Sequence, residues 1–318
     1  MPTISSFSRP RLLVLVGPTA VGKTKLSLSV AKHYECEIIS GDSMQVYRKM
    51  DIGTAKLSVQ EREGIPHHMM DIHDPDEAFS VAEFQDRGRT LISEITARNH
   101  IPFIVGGTGL YVESLCYGFE FGDNSSDEKF RQQMADYAAS HGTEALHERL
   151  KEVDSITAER LHHHDQRRVI RALEVFHLSG EPLSSQLARQ KRESPYDLCM
   201  IGLTMDRQML YKRIEARIDI MLQEGLIDEV RQLLEQGYSR NLVSMQGLGY
   251  KEIAAYLEGE MSLDAAVELL KRDTRRFAKR QLSWFRRMTD LEWVDVTDSE
   301  QTDKHFTQIC KIIAGKFR

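Results

Sequence analysis

The sequence predicts an α/β protein with a parallel sheet flanked by helices and an inserted all-helical subdomain. The apolar run 12–16 leads through a glycine-rich turn into helix-forming residues 25–32. Two further short apolar runs, 37–40 and 102–105, end at Gly41-Asp42 and Gly106-Gly107. Because alternating strands and helices favour parallel sheets, whose ligands bind at the carboxyl ends of the strands, these three ends are expected to form one site.

The later chain predicts a helical insertion followed by a return to the sheet. Residues 123–194 are polar and carry helical patterns without strand signals, and residues 197–203 resemble a returning strand. Long helical patterns then cover 206–237 and 250–287, before a mixed tail. We therefore expect a catalytic core of residues 1–122 and 195–318, and an inserted helical subdomain of residues 123–194, bounded by loop-forming sequence on each side.

Composition is typical of a globular cytoplasmic protein. The chain has 318 residues, 41% hydrophobic residues and a mean hydropathy of −0.41, and no apolar run approaches the roughly 18 residues of a transmembrane helix. Its four cysteines form no CxxC pair, which predicts free thiols in a reducing compartment. The net charge of −6 argues weakly against a nucleic-acid partner, but it averages over local basic clusters.

The strongest motif is a phosphate-binding loop between the first strand and the first helix. It fits the pattern GxxxxGK[ST] with Gly17, Pro18, Thr19, Ala20, Val21, Gly22, Lys23 and Thr24. Backbone amides and the helix N-terminus attract a phosphate group, while Lys23 adds a point charge and the Thr24 hydroxyl is a ligand for Mg²⁺. This loop predicts a P-loop NTPase-like core, but it does not identify whose phosphate is bound.

Two polar positions at strand ends have both structural and chemical interpretations. Asp42 is a candidate magnesium ligand, a general base or a helix cap. Thr108, within the turn 106–111, is either a helix cap or a donor near a reacting phosphate.

Arg213 and Arg217, four residues apart, share a helix face that either bridges acidic neighbours or projects into the anionic site.

Two basic clusters are candidate phosphate contacts. Arg167, Arg168 and Arg171 lie within about one helical turn, where a solvated surface is the alternative. Residues 271–287 contain eight Lys or Arg, with Arg272, Arg275, Lys279 and Arg286 on one helical side. The basic side is either a solvated surface or, as we favour, a phosphate track. Phe277, Gln281 and Phe285 lie mostly on the other side, which is assigned to the core. Trp284 either packs in the core, as we favour, or stacks on a base. We expect no metal at His67-His68 or at His162-His163-His164.

Several ordered motifs resemble the tRNA isopentenyltransferase family. They are the phosphate loop, the segment 42–56 (DSMQVYRKMDIGTAK), the segments 64–71 and 79–84, the turn 106–111, the helix start 165–174 and the element 246–252. The resemblance covers about residues 12–287. One departure is Leu57, where the family often has proline, which affects loop stiffness rather than chemistry.

The resemblance implies roles for individual residues. It places Asp42, Thr108 and Arg217 in catalysis, with Asp42 accepting a proton from the target amine, and adds Arg213 to the diphosphate contacts of the phosphate loop. It implies Mg²⁺ as cofactor, held by Thr24. The implied tRNA contacts are Asp42, Ser43, Met44, Gln45, Gln166, Arg167, Arg168, Val169, Ile170, Gly247, Leu248, Gly249, Tyr250, Lys251 and Glu252.

The implied activity is transfer of a dimethylallyl group from dimethylallyl diphosphate to the exocyclic amine of adenosine 37 of tRNA. We expect a monomer without a membrane partner. The family also contains adenylate isopentenyltransferases, but the helical insertion and the basic helix favour tRNA. A P-loop kinase acting on a small metabolite and a non-enzymatic RNA-binding protein are the alternatives from other classes.

Overall fold

A computed structural model describes residues 9–120, 126–190 and 192–317 of the chain. The chain forms two compact units, one of residues 1–118 with 194–318 and one of residues 119–193. The boundary expected between residues 122 and 123 lies outside the described residues. None of the described helices combines the length and the apolarity needed to cross a bilayer.

The first unit contains a six-stranded parallel sheet. Its strands are β1 (Arg11–Val16), β2 (Cys36–Gly41), β3 (His67–His68), β4 (Ile101–Gly106), β5 (Asp197–Thr204) and β6 (Leu291–Asp295). They are ordered β3-β2-β4-β1-β5-β6. The central strand β1 is buried on both faces, and Leu12 to Val16 are all 0% exposed, as expected for a strand covered by helices on both sides. The α/β class and the P-loop NTPase-like core are thereby confirmed.

Eight helices accompany the sheet in the described part of this unit. They are α1 (Lys23–Tyr34), α2 (Val81–Ala97), α3 (Gly109–Tyr117), and, after the second unit, α9 (Arg207–Gln223), α10 (Leu226–Glu235), α11 (Tyr250–Leu257), α12 (Leu263–Phe285) and α13 (Thr302–Lys316). The two long helical patterns are each interrupted. Gly225 and Gly259, with φ of 103° and 79°, adopt the left-handed conformation that ends a helical run.

The second unit is helical in all its described elements. These are α4 (Glu128–His141), α5 (Thr143–Val153), α6 (Ser155–Arg160), α7 (Gln166–Ser179) and α8 (Leu183–Arg189). Leu146, Leu150 and Val169 are 0% exposed in its core. The fully buried Glu174 carboxylate is satisfied by Arg131 at 2.9 Å and Arg171 at 2.6 Å, so it joins α4 to α7.

The carboxyl ends of β1, β2 and β4 lie side by side and position the site. Gly106 pairs with Val16 on one side and with Gly41 on the other. A Cβ atom on Gly106 would lie 2.3 Å from the Gly41 carbonyl oxygen, so only glycine permits this approach. The loops that follow the three strands, carrying the phosphate motif, Asp42 and Thr108, therefore start from one edge of the sheet.

Candidate active site

The phosphate loop is shaped by two left-handed residues between β1 and α1. Ala20 has φ of 64° and Gly22 has φ of 104°. For alanine this conformation is uncommon and stores strain, which is frequent at ligand-binding turns. The Lys23 ammonium donates to the carbonyl oxygens of Gly17 and Pro18, each at 2.9 Å. Val21 is 1% exposed and packs in the core, so it contributes through its backbone alone.

Two cations beside this loop are poorly solvated. Burial lowers the pKa of Lys23 from 10.5 to about 8, while the Asp42 carboxylate opposes this effect and Arg217 adds to it. Burial also lowers the pKa of Arg217, again against the attraction of Asp42. Because the positive charges lack full solvation, an anionic ligand placed between them is stabilised strongly.

Asp42 and Thr108 are held next to each other by short backbone contacts. Asp42 Oδ1 accepts the N–H of Met44 at 2.9 Å, and no helix begins there, so the helix-cap interpretation is wrong. Thr108 Oγ1 accepts the N–H of Ser43 at 3.1 Å, and the Thr108 N–H donates to Gly41 at 3.0 Å. Although Thr108 precedes α3, its side chain makes no cap bond, so it serves the Asp42 segment instead.

Two adjoining cavities meet at Asp42, and Thr108 lines one of them. One, of about 360 Å³, is lined by the phosphate loop, including Lys23, Thr24 and Arg213. The other, of about 340 Å³, is lined by Thr108 and by apolar side chains of α9 and α12, and has the size of a small-molecule site. The residues common to both cavities are Thr19, Ala20, Asp42, Thr54, Arg217 and Phe277.

The donor set beside the phosphate loop fits a magnesium ion. Thr24 and Asp42 both line a smaller cavity of about 80 Å³. A hydroxyl and a carboxylate are oxygen ligands of the kind Mg²⁺ prefers, and Mg²⁺ commonly completes its shell with substrate phosphate oxygens and water. Thr24 would hold the ion beside the Asp42 carboxylate, and the ion would neutralise charge on a bound diphosphate.

The two arginines of α9 both face the phosphate-loop cavity. Arg213 Nη2 lies 3.4 Å from the position that a Cβ atom on Gly22 would take, so its guanidinium covers the loop. Arg217 lines both cavities. Of the two interpretations of this helix face, the structure therefore favours projection into the anionic site.

The residues predicted to contact tRNA divide into buried and accessible sets. Val169 and Tyr250 are 0% exposed, Ile170 is 8% exposed and Glu252 is 1% exposed, so these side chains offer little surface to tRNA. Tyr250 nevertheless lines the 340 Å³ cavity, and contacts of these four residues with tRNA stay predictions. Glu252 instead caps α11 through the Gly249 N–H at 2.9 Å. Gln45 lines the phosphate-loop cavity. The other predicted contacts that line the 340 Å³ cavity include Ser43, Met44, Gly247, Leu248, Gly249 and Lys251.

The arginines of α7 do not act as one cluster. Arg167 and Arg168 are exposed, and Arg168 forms an ion pair with Asp165 at 3.3 Å. Arg167 has no ion-pair partner among residues the structure describes. Arg171 instead pairs with the buried Glu174, so its charge is needed inside the helical unit.

Helix α12 contributes a cavity wall that its sequence pattern did not indicate. Phe277 is half-buried and lines both cavities, so its assignment to the core is wrong, whereas Phe285 is 0% exposed as predicted. Trp284 packs over Gly109 and donates to Glu113 at 3.0 Å, consistent with a packing role. Other cavity residues that we did not predict are Ile214, Ile218, Met221, Leu270, Thr274 and Arg280.

On the predicted basic side of α12, only some charges are free. Arg272 contacts Asp273 at 3.2 Å, and Arg275 contacts Glu215 at 2.6 Å. Lys279 and Arg286 are exposed and form no ion pair within the described ranges. The phosphate track remains a prediction, now centred on these two residues and on Arg280 beside the cavity.

The histidine runs have different settings. His67 and His68 form the short edge strand β3, where His68 Nε2 lies 2.7 Å from the Glu37 carboxylate. The ring nitrogens of His162, His163 and His164 lie within 4.8 Å of one another, which leaves the expected absence of a metal there a prediction.

Comparisons with known proteins agree with this architecture. The IPP transferase family model matches residues 45–288. The chain is 52% identical to the tRNA dimethylallyltransferase of Bacillus mycoides (strain KBAB4) over 310 residues, covering 98% of this chain and 96% of the relative. It is 53% identical to the Bacillus anthracis protein of the same name, covering 98% and 97%.

Solved structures give the same result. A tRNA isopentenylpyrophosphate transferase from Bacillus halodurans is 47% identical, with a TM-score of 0.72 and coverage of 96% of this chain and 98% of that one. A eukaryotic dimethylallyltransferase acting on tRNA is 31% identical, with a TM-score of 0.82 and coverage of 96% and 79%. The chain belongs to the IPP transferase family, the tRNA dimethylallyltransferases.

Proposed function

We propose that the protein transfers a dimethylallyl group from dimethylallyl diphosphate to the exocyclic amine of adenosine 37 in tRNA, giving N6-(dimethylallyl)adenosine and diphosphate. The observation that carries this proposal is the shared wall of the two cavities. Asp42 and Arg217 border both the phosphate-loop cavity and the more apolar cavity. A diphosphate in the first cavity, with its prenyl chain extending into the second beside the adenine, would meet the amine at a carboxylate and a guanidinium.

The reaction breaks the bond between the allylic carbon and the diphosphate oxygen, whose electron pair leaves with the diphosphate. A bond forms between that carbon and the adenosine amine, and the amine proton passes to Asp42. Lys23, Arg213, Arg217 and the loop amides stabilise charge on the leaving group. The Thr108 hydroxyl, in the wall of the second cavity, is proposed as a further donor to the diphosphate. Mg²⁺ held by Thr24 would supply further charge neutralisation.

The apolar lining supports a hydrocarbon substrate. Ile214, Ile218, Met221, Leu248 and Leu270 surround the 340 Å³ cavity, and such side chains favour a prenyl chain over a second phosphate group. They also exclude water from the allylic cation as it forms. This lining favours prenyl transfer over the kinase alternative.

The target base must leave its stack to reach this cavity. A base in an anticodon loop is more easily extruded than one in a duplex, because fewer pairing and stacking contacts are lost. Exposed Arg167 and Arg168, together with Gln166, are proposed to bind the RNA backbone. We also propose that the protein acts as a cytoplasmic monomer, which light scattering after size exclusion, alone and with tRNA, would test.

The test is transfer of labelled dimethylallyl diphosphate to unmodified tRNA in the presence of Mg²⁺ and without ATP. The expected result is label on tRNA, lost when adenosine 37 is replaced by guanosine. A parallel reaction contains labelled ATP and no prenyl donor. ATP turnover without prenyl transfer would support a kinase, and label only on free AMP or ADP would indicate a nucleotide prenyltransferase.

A further inference from the structure

Gln281 connects three parts of the site through one side-chain amide. It lies on α12, is 6% exposed, and its Oε1 accepts the N–H of Thr19 in the phosphate loop at 2.9 Å. Its Nε2 donates to the carbonyl oxygen of Gly107 at 2.9 Å. Thr19 borders both cavities, and Gly107 directly precedes Thr108. The amide therefore joins the phosphate loop to the Thr108 turn.

The space around this amide is matched to it. A Cβ atom on Gly107 would lie 2.2 Å from Gln281 Nε2, so the glycine leaves room for the amide. The two contacts need one donor and one acceptor at the end of a side chain of this length. Ionised glutamate offers acceptors only, and asparagine is shorter by one methylene group.

The same helix face carries residues that line the apolar cavity. Thr274 and Phe277 precede Gln281 by seven and four residues, and both border that cavity. Since residues spaced by four and seven lie on one side of a helix, fixing Gln281 also fixes this wall against the phosphate loop.

We propose that Gln281 is a positioning residue that holds the phosphate loop and the Thr108 turn at a fixed separation from the α12 cavity wall. This inference rests on the proposed function, because it concerns the spacing between the diphosphate and the reacting amine. Gln281 borders the phosphate-loop cavity, but both of its amide atoms are engaged by Thr19 and Gly107, so it acts through these two residues. Loss of either hydrogen bond would change where the leaving group sits relative to Asp42.

The experiment compares Gln281→Glu and Gln281→Met with the wild-type protein. Exposed Ser283, on the same helix, provides the matched control Ser283→Ala. The measurements are the single-turnover rate of dimethylallyl transfer to tRNA, calorimetric binding of inorganic diphosphate with Mg²⁺, and a thermal melt of each variant. All rates are taken well below the melting temperature, so that only folded protein is compared.

We expect Gln281→Met to lower the single-turnover rate at least tenfold, because both hydrogen bonds are lost. Gln281→Glu should weaken diphosphate binding at least tenfold at pH 8, because a carboxylate cannot donate to Gly107 and adds negative charge beside the loop. Its rate relative to wild type should recover toward pH 6, since a protonated carboxyl again offers a donor and an acceptor. Ser283→Ala should match the wild type.

Rates and diphosphate affinities within twofold of wild type in both variants, with only the melting temperature lowered, would overturn the proposal. If one variant does not fold, the other decides by the same criterion. Diphosphate binding does not require prenyl transfer, so it still judges Gln281 if the wild-type protein fails to modify tRNA. That failure would instead reject the proposed function.

Discussion

The Tyr250 hydroxyl donates a hydrogen bond of 2.6 Å to Glu229 Oε1. The same carboxylate accepts the backbone N–H groups of Asp51, Ile52 and Gly53 at 2.7–3.1 Å. A Cβ atom on Gly53 would lie 2.5 Å from the Tyr250 ring, so ring and loop are in close contact. Tyr250 therefore packs against the segment that leads to Thr54 in the cavity wall. Glu229, which sequence analysis did not single out, is hydrogen-bonded both to Tyr250 and to this segment.

Replacing Tyr250 by phenylalanine should lower stability without weakening tRNA binding. The change removes one hydrogen bond to a charged group, worth about 1.5–3 kcal/mol. A thermal melt should therefore shift down by several degrees, while tRNA affinity stays within about twofold. Lys251→Ala is the contrast, since it removes a charge from the cavity wall and the partner of buried Glu252 at 3.4 Å, and should lower both tRNA affinity and the melting temperature. Loss of tRNA affinity in Tyr250→Phe with an unchanged melt would contradict this assignment.

Replacing Asp42 by asparagine should test the proton acceptor. Asparagine retains an oxygen for the Met44 N–H but is a far weaker base, so the single-turnover rate should fall by about 10²-fold or more. Binding of tRNA should change much less. A single-turnover rate close to that of the wild type would rule out Asp42 as the base and favour a metal-ligand or orienting role.

Replacing Arg167 by alanine should weaken tRNA binding and spare diphosphate binding. Loss of one phosphate contact should reduce the slope of log affinity against log salt by about 1. Arg171→Ala is the internal comparison, because it removes a partner of buried Glu174 and should lower the melting temperature instead. Equal tRNA affinities for Arg167→Ala and wild type across several salt concentrations would exclude the contact.

Diphosphate binding should weaken above pH 8. The pKa of Lys23 is lowered to about 8 in the free protein, so above that pH its amine is mostly neutral. Diphosphate binding must then be accompanied by uptake of a proton on Lys23. The apparent dissociation constant should then rise by up to about tenfold per pH unit, relative to a Lys23→Met variant that lacks the titrating group. Calorimetry with inorganic diphosphate and Mg²⁺ between pH 7 and 9.5 measures this. Parallel pH profiles for the two proteins would show that Lys23 remains charged throughout.

Stability should fall in acid because of Glu37 on β2. Hydrogen bonding to Arg98 and His68 holds the pKa of this carboxyl at about 2, below its ordinary 4.5, against the effect of burial. Since the folded pKa is depressed, the contribution of the ionised Glu37 carboxylate to the free energy of unfolding is complete above about pH 4.5 and is lost as pH falls toward 2. A shift of this size corresponds to roughly 3 kcal/mol at most. Glu37→Gln should have a lower melting temperature than the wild type at pH 7, and its melting temperature should fall less between pH 5 and 3. The same fall in both proteins would contradict the assignment.

The sequence was informative where a local pattern and the tertiary role coincide. Strands β1, β2, β4 and β5 are short apolar runs that end in glycine or polar residues, and the phosphate loop has a fixed motif. Strand β3 was missed because His67 and His68 carry no apolar alternation and are held only by pairing with β2. The sequence shows glycine at both helix breaks, Gly225 and Gly259, but hydrophobic periodicity alone does not predict that the helices end there.

The direction of individual helical side chains was not predictable from the sequence. A contiguous string such as 166–170 was taken as one contact surface, yet successive helical residues are about 100° apart, so Val169 and Ile170 turn into the core. Phe277 shows the reverse error, since apolar periodicity does not distinguish a side chain packed in the core from one facing a cavity. Gln281 was assigned to the core side because its partners Thr19 and Gly107 are far away in sequence.

The position of the helical unit between β4 and β5 has a consequence for synthesis of the chain. Strand β1 lies between β4 and β5, yet β5 begins only at Asp197, after the whole insertion. During translation one edge of this apolar strand stays unpaired while some ninety residues, beginning after Gly106, emerge from the ribosome. The helical unit, whose contacts are local, can fold in that interval. A chain truncated after residue 190 should therefore aggregate through the exposed edge of β1.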